Sequence, residues 1–412
     1  MLDSQRRSGG PLAGTKVVEL STTLLGPYCG LILAELGADV IKVESPVGDV
    51  NRNLLAGRSP GMSPQFLNFN FGKRSLALDL REPSAQRALD AVIAQADVFV
   101  HNSRTPTVTK LGFGPARVRA VRPDIVYCSL VGFSDASAMA GHPAYDDVIQ
   151  AVSGLAALQG TNRGHPEYVV TTICDKVVAW AGAAAICAAL AHRERTGVGD
   201  DIEVPMFELM AGFALHEQLG GWTFEPPLGA IGYPRTLSSL RRPYRAKDGY
   251  ISVALITSAQ WTAFFELAGI PEVLTEARFA TPGGRTANIG ELLEIVEGAL
   301  AHRTVLEWVE LLEAAAIPAA PTRSLEDVAL DPYLNGIGVV EAVEHASEGS
   351  LRRVRQPISF AAWSRPDLGD APALGEHTGE ILRQVGVTDA DIAELVDDGA
   401  PLGAMTPQQV AP

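Results

Sequence analysis

The sequence predicts an α/β protein that contains a doubly wound, Rossmann-like parallel sheet and a second, smaller α/β domain. Short, nearly continuous apolar runs alternate with helical segments from Lys16 onward, which is the pattern of parallel strands covered by helices on both faces. Alanine and glycine are plentiful and aromatic residues make up only 6%, which favours helices packed closely on a sheet over a β-sandwich. The 412 residues exceed the size of one hydrophobic core, so we expect two domains.

The elements of the predicted sheet follow one another in a regular order. The expected strands are Val17–Leu20, Ala38–Glu44, Ser75–Leu80, Asp97–His101 and Ile125–Leu130. The expected helices are Tyr28–Leu36, which Gly37 should end as a C′ glycine, Ser84–Gln95 and Pro115–Val121. Ligands bind beyond the carboxyl ends of the strands in such sheets. We therefore expect the functional edge to consist of the loops Ser21–Gly26, Asn102–Thr107 and Val131–Ser134.

Two changes of composition divide the rest of the chain. A segment rich in Gly, Pro, Arg and Ser begins near Gly221, and Asp331-Pro332 marks a second boundary. Between them we expect a strand at Gly249–Ile256 and three helices, near residues 259–268, 289–301 and 304–315. The end of the chain carries a strand candidate, Val340–Val343, and an amphipathic segment, Thr378–Val396.

Charge and cysteine usage narrow the class of protein. The net charge of −15 and the pI near 5.0 argue against nucleic-acid binding, which requires phosphate-neutralising Lys and Arg. Cys29, Cys128, Cys174 and Cys187 lie far apart in apolar surroundings, as expected of reduced thiols in a cytoplasmic protein. The first ten residues, a loose tail, lack the apolar segment of a signal peptide. The longest uncharged run, Val177–Ala191, is shorter than the roughly 18 residues of a membrane span, so we expect no membrane association.

The familiar motifs of nucleotide and metal chemistry are missing from the sequence. No G-x-G-x-x-G follows a predicted strand, and Gly72-Lys73-Arg74-Ser75 lacks the upstream glycine of a phosphate-binding P-loop. There is no G-x-S-x-G nucleophile elbow and no H-E-x-x-H motif, and the eight histidines are scattered. These absences argue against P-loop kinases, lipase-like hydrolases and zinc hydrolases, and no metal is expected.

Asp175 is the acidic residue that stands just before a long predicted helix, Lys176–Arg193. Aspartate is among the best helix N-caps, and replacing such a cap by alanine costs about 1 kcal/mol. By residue type and position alone, a structural role is the simpler interpretation. Lys73 is likewise typical of a solvated turn, and Asn102 of a turn-forming residue.

An ordered set of short segments carries more information than any single motif. They are, in order, Pro11–Gly14, Leu25–Pro27, Leu36–Glu44, Gly72–Ser75, Ala96–Val100 with Asn102, Leu111–Phe113, Tyr145-Asp146 with Gln150-Ala151 and Ser153-Gly154, Asp175, and Gly375–Thr378. This set resembles the class III CoA-transferases, the CaiB/BaiF-like family that includes formyl-CoA transferase and the carnitine and bile-acid CoA-transferases. The resemblance runs from about Pro11 to Val396.

The resemblance implies a particular architecture. In that family the N- and C-terminal parts of each chain form one Rossmann-like domain, a smaller domain lies between them, and two chains interlock as a homodimer. Residues 11–221 would then form the N-terminal part of the large CoA-binding domain, and residues 222–331 the linker and the small α/β domain. Residues 332–412 would be a return segment that completes the large domain.

The resemblance also changes the interpretation of Asp175, which matches the family's nucleophilic aspartate. It implies that Asp175 attacks an acyl-CoA, forms a mixed anhydride and then an enzyme–CoA thioester, and passes CoA to an acceptor carboxylic acid. A carboxylate at a helix N-terminus is expected to remain ionised and therefore nucleophilic. The implied partners are an acyl-CoA donor, a carboxylic acid acceptor and a second copy of the chain. Coenzyme A is a substrate, and no tightly bound cofactor is implied.

The family's CoA-binding positions map onto a defined set of residues. They are Thr23, Leu24, Leu25, Lys73 for a phosphate, Asn102, Ser103, Thr107, Lys110, Val131 and Phe133, with Tyr145 and Met206 beside the reacting groups. Two residues of this set and one further residue depart from formyl-CoA transferase: Leu24 stands where that enzyme has a glutamine, Val131 where it has a lysine, and Ser45 where it has an arginine that contacts the nucleotide. The tetraglycine loop of oxalate-specific members is also absent. A less polar acyl group than oxalate or formate is therefore expected.

Two alternatives remain open at the level of the sequence. The α-methylacyl-CoA racemases of the same superfamily pair the matching aspartate with a histidine, where this chain has Tyr145. Neutral tyrosine is a poor base near pH 7, which favours transfer, although His142 lies close by in sequence. The second alternative is a catalytically silent CoA-binding protein, which retention of Asp175 disfavours.

Overall fold

The structure is a computed structural model that describes residues 9–397, and its contacts divide the chain into two units. The first unit contains residues 9–153, 169–211 and 332–397, and the second contains residues 154–168 and 212–331. Residues 154–168 and 212–221 thus belong to the second unit, whereas the sequence had placed them in the large domain. Most of the predicted N-terminal tail, residues 1–8, and the end of the predicted return segment, residues 398–412, lie outside the described residues.

Strands and helices alternate through the N-terminal half of the chain. The strands are β1 (Lys16–Leu20), β2 (Asp39–Glu44), β3 (Lys73–Ala77), β4 (Val98–His101), β5 (Val126–Val131), β6 (Asp201–Pro205), β7 (Tyr244–Arg245), β8 (Tyr250–Val253), β9 (Ala319–Pro321), β10 (Val340–His345) and β11 (Gly349–Val354). The helices are α1 (Leu25–Glu35), α2 (Pro64–Asn70), α3 (Pro83–Ile93), α4 (Thr105–Lys110), α5 (Pro115–Val121), α6 (Asp146–Val152), α7 (Leu155–Gln159), α8 (Ile173–Thr196), α9 (Met206–Gln218), α10 (Pro234–Leu237), α11 (Ser258–Ala268), α12 (Pro282–Ala287), α13 (Ile289–Leu300), α14 (Val305–Ala314), α15 (Leu325–Ala329), α16 (Pro332–Gly336), α17 (Thr378–Gln384) and α18 (Asp389–Asp397).

The first unit is built on a parallel six-stranded sheet with the order β3-β2-β1-β4-β5-β6. This is the strand order of a doubly wound Rossmann-like sheet, so the predicted fold class is confirmed. The order reverses between β1 and β4, where Val18 lies beside Phe99 and Leu20 beside His101. The loops after these two strands therefore flank a crevice at the carboxyl edge of the sheet.

The apolar residues of the strands form the core that holds the sheet to its helices. Val18, Phe99 and Tyr127 are almost fully buried from three adjacent strands, and Phe99 stacks on Tyr127 with ring centroids 5.4 Å apart. Leu89 of α3 and Leu382 of α17 join the same cluster. Burying one such side chain is worth roughly 1.5–3 kcal/mol. The C-terminal helices α17 and α18 therefore complete the core of the first unit.

The segment Gly375–Thr378 covers the free edge of β3. The N–H of His377 donates to the Ser75 carbonyl over 3.1 Å, and the Ala77 N–H donates to Thr378 Oγ1 over 3.0 Å. Ser75 Oγ accepts the Gly375 N–H at 2.9 Å. Unpaired strand edges invite pairing with other chains, and these contacts occupy that edge. The structure thus gives Gly375–Thr378, one of the segments that carry the family resemblance, a structural role at the edge of the sheet.

The second unit has its own sheet and core. Strands β7, β8 and β9 form an antiparallel sheet. Helices α11, α13 and α14 supply most of its core, where Phe264 packs edge-on against Phe265 and stacks on Trp308. Thr257 and Thr304 begin α11 and α14 with capping boxes, in which the side chains at both ends of the first turn satisfy backbone N–H groups.

Several elements of the first unit differ from expectation. Strand β6 was not predicted, and its exposed acidic residues Asp201 and Glu203 obscure the apolar pattern of an edge strand. Helix α8 begins at Ile173, three residues before its predicted start. The amphipathic end of the chain forms two helices, α17 and α18, instead of one. Gly37 does follow α1, as predicted, with a φ of +102° that glycine adopts readily.

Among the described residues, α8 is the one helix that is long and apolar enough to cross a membrane. This helix packs against α1 and β5, as a core helix of the first unit does. Core helices can have the same length and apolar composition, so this helix is weak support for a membrane span.

Candidate active site

A cavity of about 270 Å³ lies at the carboxyl edge of the parallel sheet. The loops after β1, β4 and β5 all contribute to it, as predicted, and α8 and α9 each supply a residue. Its lining residues are Thr22, Thr23, Leu24, Leu25, Asn102, Ser103, Arg104, Thr107, Leu130, Gly132, Pro143, Ala144, Tyr145, Asp175 and Met206. The position is the one at which doubly wound sheets bind their ligands.

The first wall of the cavity is the loop between β1 and α1. Helix α1 begins at Leu25, three residues earlier than predicted, and no side chain caps it. Among the described residues, the N–H groups of Leu24, Leu25 and Gly26 have no acceptor. A Cβ at Gly26 would lie only 2.3 Å from the Ser21 Cβ, so this position admits only glycine without a shift. The loop thus leaves donor groups of the main chain available beside the cavity.

Asn102 holds this loop in place. Its Oδ1 accepts the Thr22 N–H over 3.1 Å, and its Nδ2 donates to the Thr22 carbonyl over 2.8 Å. Asn102 lines the cavity, as predicted, but both ends of its amide are already bonded to the protein. Its observed role is therefore to join the loops after β1 and β4.

The neighbouring loop residue, Ser103, is held by a buried histidine. The Ser103 carbonyl is an acceptor, so His101 donates to it from Nδ1 over 3.1 Å, and Nε2 accepts the Ser129 hydroxyl over 2.9 Å. Burial lowers the pKa of His101 to about 4, so the ring is neutral at physiological pH. His101 is thus a structural support of the cavity.

Asp175 lies in the first turn of α8, as its third residue, and is not the N-cap that its sequence position suggested. The cap residue, Thr172, makes no capping hydrogen bond with its side chain. Asp146 of α6 does so instead, because its Oδ1 accepts the Asp175 N–H at 3.0 Å. Gln150 donates to Asp146 Oδ2 over 2.6 Å and accepts the Val169 N–H at 2.8 Å. This chain of bonds fixes the backbone from which the Asp175 carboxyl extends.

The surroundings of Asp175 oppose its ionisation. Burial, and then the nearby carboxylates of Asp146 and Asp147, raise the pKa of Asp175 from about 3.8 to about 7, against a smaller opposing effect of Lys176. The helix N-terminus is expected to keep this carboxyl ionised, and burial and the two carboxylates act against that effect. A strongly raised pKa in a cavity is typical of a group that takes part in chemistry.

Lys73 does not reach the cavity, contrary to its predicted contact with a CoA phosphate. Its side chain is fully buried, with Nζ 2.7 Å from Glu19 Oε2 and 2.7 Å from the Pro27 carbonyl. Asn70 Oδ1 accepts a further hydrogen bond at 2.9 Å. Burial lowers the pKa of Lys73 to about 8, although Glu19 opposes the shift. Lys73 is part of a structural ion-pair cluster under α1. The prediction that it binds a phosphate of CoA is therefore wrong.

Three other predicted CoA contacts also lie outside the cavity lining. Val131, the last residue of β5, and Phe133 are buried, and neither is a lining residue of the cavity. Leu130 and Gly132 line the cavity in their place. Lys110 is exposed at the end of α4, beyond the lining residues, and its contact with CoA stays a prediction.

The remaining predicted residues, Thr23, Leu24, Leu25, Ser103, Thr107, Tyr145 and Met206, all line the cavity with Asp175. Tyr145 is 71% exposed at the start of α6. His142, the alternative base of a racemase, is not a lining residue, and its ring packs edge-on against Phe133 with centroids 6.5 Å apart.

Sequence reasoning missed Arg104, the only lysine or arginine among the lining residues of the described chain. It is exposed, and its Nη1 donates to the Gly141 carbonyl over 3.3 Å. Its position between two predicted CoA contacts, Ser103 and Thr107, was the available signal. No group of three or more metal-ligating side chains occurs in the part of the chain that the structure describes.

Comparison with known proteins identifies the family. The model of CoA-transferase family III matches residues 12–378. The chain is 29% identical to a probable fatty acyl-CoA transferase, Rv3272, of Mycobacterium tuberculosis, over 90% of this chain and 97% of that protein. It is 30% identical to succinyl-CoA:mesaconate CoA-transferase of Haloarcula marismortui, over 92% of this chain and 97% of that protein.

A solved structure supports the same assignment. The crystal structure of a mutant of Rv3272 superposes with a TM-score of 0.80 at 28% identity, over 90% of this chain and 99% of that one. Both the sequence and the fold are therefore shared over nearly the whole length. The chain belongs to CoA-transferase family III and is a transferase enzyme of that family.

Proposed function

We propose that this enzyme moves CoA from an acyl-CoA to a carboxylic acid through a covalent intermediate on Asp175. The observation that carries the proposal is the position of the Asp175 carboxyl in a cavity whose other lining residues offer no base. Hydroxyl groups of Thr22, Thr23, Ser103 and Thr107 are present, but no histidine or lysine lines the cavity within the described residues. A hydroxyl without a base is a weak nucleophile, whereas an ionised carboxylate needs none.

The reaction consists of two mirrored halves. The Asp175 carboxylate attacks the thioester carbonyl, the C–S bond breaks, and CoA leaves as a thiolate, which gives a mixed anhydride of Asp175 and the donor acid. The thiolate attacks the aspartyl carbonyl and releases the donor acid, which leaves CoA bound to Asp175 as a thioester. The acceptor carboxylate attacks that thioester, the C–S bond breaks, and CoA again leaves as a thiolate while a second anhydride forms. The thiolate then attacks the acceptor carbonyl, which releases the new acyl-CoA and restores the Asp175 carboxylate.

The loop at the start of α1 has the groups to stabilise the charge that develops in these steps. Each attack places negative charge on a carbonyl oxygen, and main-chain N–H groups next to a reacting carbonyl lower that barrier. The free N–H groups of Leu24 and Leu25 belong to residues of the cavity wall, and that of Gly26 follows directly in the chain. We infer that one or two of them bind this oxygen.

Mass spectrometry of the covalent intermediate tests the proposal directly. Incubation of the wild-type enzyme with acyl-CoA, without an acceptor, should add the mass of CoA less that of water to the peptide that contains Asp175. The Asp175→Asn enzyme should show no adduct. An unmodified wild-type peptide would contradict the proposal, and deuterium exchange at the α-carbon of the acyl group would favour racemase chemistry instead.

Arg104 is the group that we propose for a phosphate of CoA, the role that Lys73 cannot fill. We expect Arg104→Ala to raise KM for acyl-CoA about tenfold with kcat within about twofold, since one charge-assisted hydrogen bond to a phosphate is lost. The effect should shrink as the salt concentration rises. Arg87→Ala, at an exposed arginine of α3 outside the cavity, is the matched control. An unchanged KM at low salt would remove Arg104 from the CoA site.

The lining of the cavity bears on the polarity of the acyl group that is transferred. The two relatives named above act, by their descriptions, on a fatty acyl group and on succinyl and mesaconate groups. We propose an acyl group less polar than oxalate or formate, which Leu24, Leu25 and Met206 in the cavity wall support. The interlocked homodimer and the cytoplasmic location stay predictions.

A further inference from the structure

Thr23 has a backbone conformation that is unfavourable for its residue type. Its φ is +71°, in the left-handed region, and among the described non-glycine residues only Ala316 shares a positive φ. A β-branched side chain in this region is a true outlier, because its branches clash with the main chain. Such conformations persist only where the surrounding structure enforces them, and they concentrate at functional sites.

Side chains from two other loops enforce the conformation. The Thr23 N–H donates to Asp49 Oδ1 over 3.1 Å, and Asn51 Nδ2 donates to the Thr23 carbonyl. Thr22 is held in the same way, by the two hydrogen bonds of Asn102. All four backbone polar groups of the Thr22–Thr23 pair are therefore bonded to side chains.

The side chains that hold Thr23 are themselves fixed inside the protein. Lys42 Nζ lies 2.8 Å from Asp49 Oδ2, and both side chains are fully buried. The Asp49 N–H donates to Glu44 Oε2 over 3.0 Å, and Asp49 Oδ1 also accepts the Asn51 N–H at 2.9 Å. Asn51 is 1% exposed, and Ser63 Oγ donates to its carbonyl. These bonds hold Asp49 and Asn51 in the orientation that faces Thr23.

We propose that Asp49 and Asn51 are positioning residues that hold Thr23 in its left-handed conformation and so fix the cavity wall that acyl-CoA contacts. Neither of them lines the cavity, whereas Thr23, Leu24 and Leu25 all do. Loss of the Asn51 hydrogen bond lets Thr23 return to negative φ, which rotates the adjoining peptide planes and displaces Leu24 and Leu25. The inference rests on the proposed function, because it assigns this wall to acyl-CoA.

Glycine at position 23 provides the decisive test, since glycine adopts positive and negative φ about equally well. The enzymes to compare are the wild type, Asn51→Ala, Thr23→Gly and the double variant. The affinity for CoA is measured by calorimetry, which needs no turnover, and kcat and KM are measured alongside. Asn53→Ala, two residues away and exposed, is the matched control.

The expected result is a coupling between the two positions. Asn51→Ala should weaken CoA binding about tenfold when residue 23 is threonine and less than about threefold in the Thr23→Gly background. Equal losses in both backgrounds would overturn the positioning role. If Asn51→Ala alone is insoluble, a soluble double variant supports the proposal, and two insoluble variants overturn it. Wild-type protein that binds no CoA would contradict the proposed function itself.

Discussion

Replacement of Asp175 by asparagine should reduce the rate of CoA transfer by about 10³-fold or more, because a neutral amide can form neither the anhydride nor the thioester. The measurement is the initial rate of acyl-CoA formation from a second acid at saturating donor, at pH 8, where Asp175 is ionised in the wild type. Asp147→Asn is the matched control, since Asp147 is an exposed carboxylate nearby and should leave this rate within about threefold. An Asp175→Asn enzyme with wild-type transfer would exclude the proposed mechanism.

The same variant should remain folded, which separates loss of chemistry from loss of structure. The pKa of Asp175 is about 7 in the folded protein and about 3.8 for an aspartate in the unfolded chain. The folded state therefore binds the proton more tightly than the unfolded state does. This group therefore costs folding stability progressively as the pH rises from about 4 to about 7, and the full cost is present above pH 7. Asparagine carries no charge at any of these pH values. We expect Asp175→Asn to unfold at the same or a higher temperature than the wild type at pH 8.

Most strands of the parallel sheet could be predicted because they are marked locally. β1, β2, β4 and β5 are apolar runs bounded by turn residues, so each was located to within about two residues. β6 could not be found in this way, because it lies at the edge of the sheet and exposes Asp201 and Glu203. Its partner, β5, is separated from it by about seventy residues of chain, so only tertiary pairing reveals the strand.

Residues of the candidate site could likewise be predicted where a local pattern places them, and not where a distant part of the chain decides their environment. Thr23 to Leu25 and Asn102 to Thr107 could be placed at the cavity because they follow strands of the sheet. Lys73 could not be excluded, because its partner Glu19 lies on a different strand and no local pattern marks a buried ion pair.

The environment of Asp175 could not be predicted from the sequence either. A helix N-terminus suggested an ionised carboxylate, but the three-dimensional structure adds burial and two carboxylates from α6, which raise the pKa of Asp175. The spacing of Asp146 and Gln150, one helical turn apart, marks a common face of α6. That spacing does not tell which residue the face supports, and the contact with Asp175 only appears in the fold.

The pH dependence of transfer should report the ionisation of Asp175. With a pKa of about 7, about 1% of the carboxyl is ionised at pH 5 and about 90% at pH 8, so kcat/KM for acyl-CoA should rise nearly a hundredfold between them. The measurement is kcat/KM from pH 5 to pH 9 at constant ionic strength. The phosphates of CoA also titrate near pH 6. The wild-type profile alone therefore does not identify the titrating group, and variants must be compared with the same substrate.

Asp146→Asn should move that profile toward lower pH. Asp146 is the largest influence after burial on the raised pKa of Asp175, and asparagine removes its charge. The amide oxygen of asparagine can still accept the Asp175 N–H, but its amide nitrogen cannot accept the hydrogen bond that Gln150 donates to Oδ2. If the midpoint falls by about one unit, the ionised fraction at pH 6 rises about fivefold, although a less basic carboxylate is also a weaker nucleophile. Asp147→Asn should shift the midpoint in the same direction by less, because Asp147 is the smaller influence. A midpoint that is identical in the wild type and in Asp146→Asn would show that Asp175 is not the group whose ionisation limits transfer.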